Sequence, residues 1–233
     1  MRPAERVCVA LDFSTRDEIL AAARRFGPKV GWLKIGLEAF VSEGRSLVAD
    51  VAKSSRVFLD LKFHDIPNTV AGAVAAAARS GASLLNVHAS GGRAMLEAAR
   101  RALPDGPGRP KLVAVTLLTS IDAKALADLP MAGHPEGIAR RLALLAKDCG
   151  LDGVVCSPTD LPVIRGACGA DFLTVVPGIR PAGAAAGDQR RIATPREALA
   201  AGADILVVGR PVTGAPDPDA ALDALLAEIE SLG

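Results

Sequence analysis

Eight short runs rich in Val, Ile and Leu recur along the chain, and Ala-rich segments with helical periodicity lie between them. Alternating strands and helices fold into parallel sheets, and eight such units predict a (β/α)8 barrel. An open doubly wound sheet is the alternative, but it usually has fewer strands and a Gly-rich first turn, which this chain lacks. The predicted strands are Val7 to Leu11, Trp32 to Ile35, Arg56 to Leu61, Leu84 to Val87, Lys111 to Leu117, Gly153 to Cys156, Phe172 to Val176 and Ile205 to Val208.

The length of 233 residues fits one barrel domain spanning residues 1–233. Hydrophobic residues make up 50% of the chain and aromatic residues only 3%, so the core is expected to consist of Ala, Val and Leu. Segments between the strands predict outer helices, among them Asp17 to Phe26, Thr69 to Ser80, Gly137 to Lys147, Pro195 to Ala201 and Asp217 to Leu232.

The formal net charge of +1 argues against a protein that coats nucleic acid or an anionic membrane, because both tasks need a concentrated basic surface. The N-terminal residues contain no apolar signal region, and no apolar run approaches the roughly 18 residues of a membrane span. We therefore expect a cytoplasmic protein without nucleic-acid or membrane partners.

The four cysteines, Cys8, Cys149, Cys156 and Cys168, lie in apolar or helical surroundings without a Cys-x-x-Cys spacing. We expect buried, reduced thiols and assign no zinc site or other metal ligand. Neither a Walker sequence nor a Gly-x-Gly-x-x-Gly after a strand is present, so no nucleotide cofactor is expected.

The third predicted strand carries charges inside an apolar pattern. Because side chains two residues apart share a strand face, Asp60 and Lys62 point one way while Leu59 and Leu61 point the other. Asp65 follows, where Pro67 must already end the strand. A half-buried strand with a solvated charged face is the plain alternative. Apolar flanks and the position at a strand's carboxyl end favour a functional site instead.

Polar residues also follow most of the other predicted strands, so a barrel would gather them at one mouth. Asp12 is either part of this set or an N-cap of the next helix, although Ser14 and Thr15 are better placed to cap. Lys34 lies between two apolar residues and needs a carboxylate partner, which we predict to be Asp60. The remaining polar strand ends are His88, Thr119, Ser120, Arg180, Gly209 and Arg210, of which His88 is more simply structural.

Val207-Val208-Gly209-Arg210 predicts a phosphate site, since glycine lets backbone N–H groups approach an anion and a guanidinium grips it bidentately. A Gly-Arg turn with a solvated arginine is the alternative. The segment from Pro181 to Gly187 contains only Pro, Ala and Gly, and we interpret it as a lid.

The stretch Asp60-x-Lys62-Phe63-His64-Asp65-Ile66-Pro67-Asn68-Thr69 resembles the signature of the orotidine 5'-phosphate decarboxylase family. The bare Asp-x-Lys-x-x-Asp pattern also occurs in sugar-phosphate decarboxylases and aldol-type synthases, so the full stretch carries the resemblance. The likeness extends from Asp12 to Arg210. It implies a homodimeric (β/α)8 barrel that converts orotidine 5'-monophosphate to UMP and CO2 without a cofactor.

The resemblance also implies a role for each matching residue. Asp12 and Lys34 would bind the ribose hydroxyls, and Lys62 would donate a proton to C6 of the pyrimidine. Asp65 and Thr69 would reach the partner's site across the dimer interface. The predicted catalytic residues are Lys34, Asp60, Lys62 and Asp65, and the predicted substrate-binding residues are Asp12, Lys34, Asp60, Ile66, Thr69, Thr119, Ser120, Pro177, Arg180, Gln189, Gly209 and Arg210.

Two rival functions remain. A magnesium-dependent 3-keto-gulonate-phosphate decarboxylase or hexulose-phosphate synthase needs an acidic metal ligand on strand two, where this chain has Lys34. A catalytically silent barrel that only binds a phosphorylated ligand or a protein has no need for clustered charges such as Asp60, Lys62 and Asp65.

Overall fold

A computed structural model describes residues 2–181 and 191–232 of the chain. Eight parallel strands form a closed barrel in sequence order, and β1 pairs with both β2 and β8. The predicted (β/α)8 barrel is therefore confirmed, and no strand end differs from the predicted one by more than two residues. The strands are β1 Val7–Ala10, β2 Trp32–Ile35, β3 Val57–Phe63, β4 Leu84–His88, β5 Lys111–Val115, β6 Gly153–Val155, β7 Leu173–Val176 and β8 Ile205–Val208.

Helices cover the outside of the barrel. The helices of the described residues are α1 Arg16–Phe26, α2 Leu37–Ala52, α3 Pro67–Ala78, α4 Gly92–Arg101, α5 Ala123–Leu126, α6 Pro135–Asp148, α7 Leu161–Cys168, α8 Pro195–Ala200, α9 Arg210–Thr213 and α10 Pro218–Glu230. All five helices named from the sequence are present, with ends shifted by at most two residues. Within residues 2–181 and 191–232, no helix has the length and apolar character that a membrane crossing requires.

The side chains of the strands alternate between two cores, as the period of a strand requires. Outward-facing residues such as Val9, Leu33 and Leu59 pack with the helices. A second cluster fills the barrel interior with mostly small residues, and Phe58 and Trp32 are its bulky members. The four cysteines are free and buried, which confirms the predicted burial.

Strand β3 departs from the regular pattern at its carboxyl end. It continues to Phe63, and its pairing with β4 shifts from Leu59 opposite Leu85 to Phe63 opposite Val87. Three residues of β3 therefore lie between these two pairs, where β4 has one residue, and the mismatch is a bulge. Within this bulge Lys62 has a φ of 51°, and no other non-glycine residue of the described chain has a positive φ.

Two local features fix how the chain leaves the barrel mouth. Thr15 caps α1 by accepting a hydrogen bond from the backbone N–H of Glu18, so Asp12 is not the cap of this helix. Pro67 occupies the first position of α3, where a missing N–H costs nothing. Both helices therefore begin after the charged segments, which leaves Asp12 and Asp65 in loops.

Candidate active site

Asp60 lies at the centre of a charge array at the carboxyl ends of β1, β2 and β3. Its Oδ1 accepts a hydrogen bond of 2.6 Å from Lys62 Nζ, and its Oδ2 lies 3.5 Å from Lys34 Nζ. Lys34 Nζ also lies 3.0 Å from Oδ1 of Asp12. The predicted pairing of Lys34 with Asp60 is thus present, and Asp12 is a second partner. The result is an alternating row of two carboxylates and two ammonium groups.

The array is deeply buried at Lys34 and Asp60, which are each 8% exposed. Burial raises the pKa of the Asp60 carboxyl, but the charges of Lys34 and Lys62 and the hydrogen bonds from Lys62 and Asn86 outweigh it, so the pKa lies below its usual value. Burial likewise lowers the pKa of Lys34, and the carboxylates of Asp60 and Asp12 more than restore it. Both groups are therefore charged at neutral pH.

A cavity of about 360 Å³ opens above this array at the barrel mouth. Apolar residues line one part of it, and the charged groups line another. The lining residues are Ala10, Asp12, Lys34, Phe58, Asp60, Lys62, Val115, Leu117, Leu118, Thr119, Ser120, Val155, Cys156, Pro177, Gly178, Arg180, Val207, Gly209 and Arg210.

Gly209 and Arg210 border the cavity on the side of β8. Gly209 is the N-cap of the short helix α9, and its neighbour Arg210 is the first helical residue. After the neighbouring strand β7, the Arg180 guanidinium is buried and donates a hydrogen bond of 2.9 Å to the carbonyl of Ile179. Two arginines thus line the same cavity, and their positive charge attracts an anion.

Comparison with known proteins supplies the decisive observation. The sequence model described as "Orotidine 5'-phosphate decarboxylase / HUMPS family" matches residues 5–225. The chain belongs to this decarboxylase family. An orotidine 5'-phosphate decarboxylase of Anaeromyxobacter sp. (strain K) is 55% identical over 228 residues, which cover 97% of this chain and 99% of that protein.

Two further relatives agree with this family assignment. An orotidine 5'-phosphate decarboxylase of Chromobacterium violaceum is 54% identical over 229 residues, covering 98% of this chain and 93% of that protein. The crystal structure of an orotidine 5'-phosphate decarboxylase from Lactobacillus acidophilus has a TM-score of 0.83 at 37% identity, and covers 96% of this chain and 98% of that one. The barrel and nearly the full length of the chain are therefore shared with members of the decarboxylase family.

Most of the site residues predicted from the decarboxylase resemblance lie around the one cavity. These are Asp12, Lys34, Asp60, Lys62, Thr119, Ser120, Pro177, Arg180, Gly209 and Arg210. Asp65, Ile66 and Thr69 do not line it, since they are exposed at the start of α3. Gln189 and residues 182–187 of the predicted lid lie outside the described residues.

Asn86 is a site-adjacent residue that the sequence analysis missed. Its side chain is fully buried on β4, donates to Asp60 Oδ1 over 2.6 Å and accepts the backbone N–H of Lys62 over 2.8 Å. The available signal was a single amide residue in the apolar run from Leu84 to Val87. By strand alternation, this residue faces the barrel interior on the same side as Leu84.

A buried ion pair between Asp160 and Arg191 also escaped the sequence analysis. Arg191 Nη1 lies 2.6 Å from Asp160 Oδ2, and its Nη2 donates to the carbonyls of Leu117 and Leu118. Arg191 thereby ties the chain after β7 to the loops after β5 and β6. No sequence spacing signals this pair, because its members are 31 residues apart in the segments after β6 and β7.

His88 is the last residue of β4 and lies near His64. Its ring centroid lies 5.4 Å from that of His64, and it does not line the cavity. Burial and the neighbouring charges of His64 and Lys62 lower the pKa of His88, which favours the neutral imidazole. Across residues 2–181 and 191–232, no three His, Cys, Asp or Glu side chains are grouped as a metal site.

Proposed function

We propose that this protein decarboxylates orotidine 5'-monophosphate to UMP and CO2, the last step of UMP synthesis, and that Lys62 donates the proton to C6. The observation that carries the proposal is the Lys62 ammonium held 2.6 Å from Asp60 in a cavity of about 360 Å³. Full-length relatives named for this activity support it.

The reaction needs electrostatic help at one carbon atom. When the bond between C6 and the carboxylate breaks, its electron pair stays on C6, and no adjacent carbonyl absorbs the charge. An ammonium aimed at C6 stabilises the developing carbanion and then transfers a proton to it. Lys62 has the required group, and the neutral amine left behind regains its proton from solvent. CO2 departs, so atoms and charge balance without a redox partner.

The neighbouring charges add to this effect. At an effective dielectric constant near 20, two unit charges about 4 Å apart interact by roughly 4 kcal/mol. Enzymes lower barriers by about 8–23 kcal/mol in total, so no single pair suffices. We propose that Asp60 faces the substrate carboxylate and repels it, which favours the loss of CO2. Lys34 keeps Asp60 ionised while that happens.

Contacts with the non-reacting parts of the substrate supply further binding energy. We propose that Asp12 and Lys34 bind the ribose hydroxyls and that Gly209 and Arg210 hold the 5'-phosphate with Arg180 nearby. Thr119, Ser120 and Pro177 would then border the pyrimidine. Binding energy gained at the phosphate can be used to enforce the reactive geometry at C6, so it appears in turnover as well as in affinity. A phosphate contact from Gln189, in keeping with the family resemblance, remains part of the proposal.

We further propose a homodimer whose sites are shared between subunits. Asp65, Ile66 and Thr69 lie beyond the edge of their own cavity, and Ile66 is 67% exposed. The proposed interface would cover this exposed apolar side chain at the start of α3. In the dimer, Asp65 and Thr69 would enter the cavity of the partner subunit.

The magnesium-dependent sugar-phosphate enzymes of the same family are the rival function. They need an acidic ligand on β2, and this position holds Lys34, whose ammonium already pairs with Asp12 and Asp60. An ammonium repels a divalent cation, so the charge array favours the cofactor-free reaction.

The test is to follow the pyrimidine absorbance of orotidine 5'-monophosphate with purified protein, with and without excess chelator. Rapid loss of substrate with UMP as product, insensitive to chelator, is the expected result. No turnover, or turnover of a sugar phosphate that chelator abolishes, would contradict the proposal.

A further inference from the structure

Asn86 is a buried polar residue to which the proposed mechanism gives no task. It is fully buried in β4, while the paired position of the neighbouring strand β5 holds Val113 of the inner apolar cluster. A buried amide costs free energy unless its hydrogen-bonding groups are satisfied, so an apolar side chain would be the simpler choice at this position of the barrel interior.

The amide of Asn86 joins two separate parts of β3. Its Nδ2 donates to Asp60 Oδ1 over 2.6 Å, and its Oδ1 accepts the backbone N–H of Lys62 over 2.8 Å. A backbone N–H can only donate and an ionised carboxylate can only accept, so this pair of partners allows one orientation of the amide. The NH2 group and the carbonyl oxygen of the amide are therefore each hydrogen-bonded to one neighbour.

The bond to Lys62 falls on a strained residue. Lys62 has a φ of 51°, a left-handed conformation that costs a side-chain-bearing residue about 1–2 kcal/mol. The residue lies in the bulge where the pairing of β3 with β4 shifts. There the side-chain Oδ1 of Asn86 accepts a hydrogen bond from the backbone N–H of Lys62. The Lys62 side chain extends from this bulge, and its ammonium donates a hydrogen bond to Asp60.

We propose that Asn86 is a positioning residue, whose single amide holds the Asp60 carboxylate and the Lys62 backbone in the mutual geometry that the proton transfer requires. The inference rests on the proposed function and deepens it. Asn86 does not line the cavity, so it acts through Asp60 and Lys62 and not on the substrate.

The first variant is Asn86→Leu, which removes both hydrogen bonds at similar volume. We expect kcat to fall about 100-fold, because small misplacements of reacting groups cost about that much. The KM for orotidine 5'-monophosphate, the affinity for UMP and cooperative thermal unfolding should change little. Thr116→Val is the matched control, since Thr116 is also buried and donates to the carbonyl of Val155 without touching the charge array.

The second variant, Asn86→Asp, separates positioning from structure through pH. When protonated, the introduced carboxyl donates to Asp60 and accepts from the Lys62 N–H as the amide does. When ionised, it repels Asp60. The charged and titratable groups around it are Lys34, Asp60 and Lys62 from β2 and β3, with His64 and His88 behind. We expect a loss of about 100-fold near pH 8 that recovers toward the wild-type rate near pH 5, since the adjacent carboxylate raises the pKa of the new group.

The outcomes distinguish a positioning role of Asn86 from a purely structural one. A kcat loss confined to the Asn86 variants, with acid recovery in Asn86→Asp, supports positioning, and the acid recovery alone does so if Asn86→Leu fails to fold. Wild-type kcat in Asn86→Leu, an equal loss in Thr116→Val, or a pH profile of Asn86→Asp parallel to the wild type would overturn it. Absence of turnover by the wild-type protein would overturn the proposed function, and the positioning role with it.

Discussion

The ammonium of Lys62 lies 2.6 Å from the carboxylate of Asp60, and both groups reach the cavity from the same strand. Asp60 is deeply buried, whereas 29% of the Lys62 side chain is exposed. Asp60 is also held by Lys34 and Asn86, so it is the fixed member of the pair. In the proposed reaction, the more exposed Lys62 is the member that would exchange its carboxylate partner for a substrate atom.

Lys62→Ala should abolish turnover while leaving the binding of UMP largely intact, because it removes the proposed proton donor and leaves the phosphate and ribose contacts in place. Steady-state kinetics and calorimetric titration with UMP measure the two effects. Lys53→Ala is the matched control, since Lys53 also pairs with a carboxylate, that of Asp50, but at the surface. An equal loss of turnover and UMP affinity would remove the assigned role.

The pKa of Asp60 predicts an acid-dependent part of the stability. Burial opposes the ionised form, yet Lys34 and Lys62 hold the pKa below its ordinary value near 3.9. A lowered pKa contributes stability that is present above the unfolded-state value and is lost as the pH falls toward the folded-state value. We therefore expect the difference in unfolding free energy between the wild type and Asp60→Asn to be constant from about pH 5 to 7 and to shrink below about pH 4.

Urea denaturation across this pH range measures the difference. Asp171→Asn, at an exposed carboxylate, controls for the change in total charge. A difference between wild type and Asp60→Asn that grows toward low pH would contradict the lowered pKa.

Much of the charge array could be predicted from the sequence because of how a barrel is built. Asp12 follows β1, and Lys34 and Asp60 lie in the carboxyl-terminal parts of β2 and β3. Neighbouring parallel strands of a barrel present their carboxyl ends at one mouth. The burial of Lys34 between apolar residues required a carboxylate partner, and the structure provides two. Local pattern and strand topology sufficed for these residues.

The missed features depend on contacts that no local pattern encodes. The positive φ of Lys62 arises from a register shift against β4, and the sequence analysis treated Asp60 and Lys62 as members of a regular strand. Asn86 is a single amide residue in an apolar run, and its hydrogen-bond partners, Asp60 and Lys62, lie on another strand. Arg191 and Asp160 meet only because the loops after β6 and β7 converge.

Arg191→Ala should lower the unfolding free energy by about 3–5 kcal/mol, because it leaves the fully buried Asp160 carboxylate without its cation. Replacing both residues by leucine should cost less than the single change, since no uncompensated charge then remains. The comparison is Arg25→Ala, which breaks a half-exposed pair with Asp219 and should cost under about 1 kcal/mol. Urea denaturation of the four proteins tests the order, and equal costs for Arg191→Ala and Arg25→Ala would contradict it.

Arg210→Ala should weaken ligands that carry a phosphate far more than free nucleosides. A hydrogen bond to a charged group contributes about 1.5–3 kcal/mol, so we expect about a 10- to 100-fold loss in UMP affinity. Uridine affinity should not change. Calorimetric titrations with the two ligands make the comparison, and Arg196→Ala, an exposed arginine of α8, is the control. A parallel loss for UMP and uridine would show that Arg210 does not hold the phosphate.

Mixing two inactive variants tests whether each site is built from two subunits. In a heterodimer of Lys62→Ala and Asp65→Ala chains, one site combines the intact Lys62 of one chain with the intact Asp65 of the other, and the second site lacks both. Random mixing makes half of the dimers heterodimers, each with one working site of two, so activity should return to about a quarter of the wild-type value. Unfolding and refolding the variants together, followed by the absorbance assay, makes the measurement. Lys62→Ala refolded alone and Asp65→Ala refolded alone are the controls. If the mixture shows only the average of those two activities, Asp65 does not act across the interface, because subunit exchange then restores no complete site.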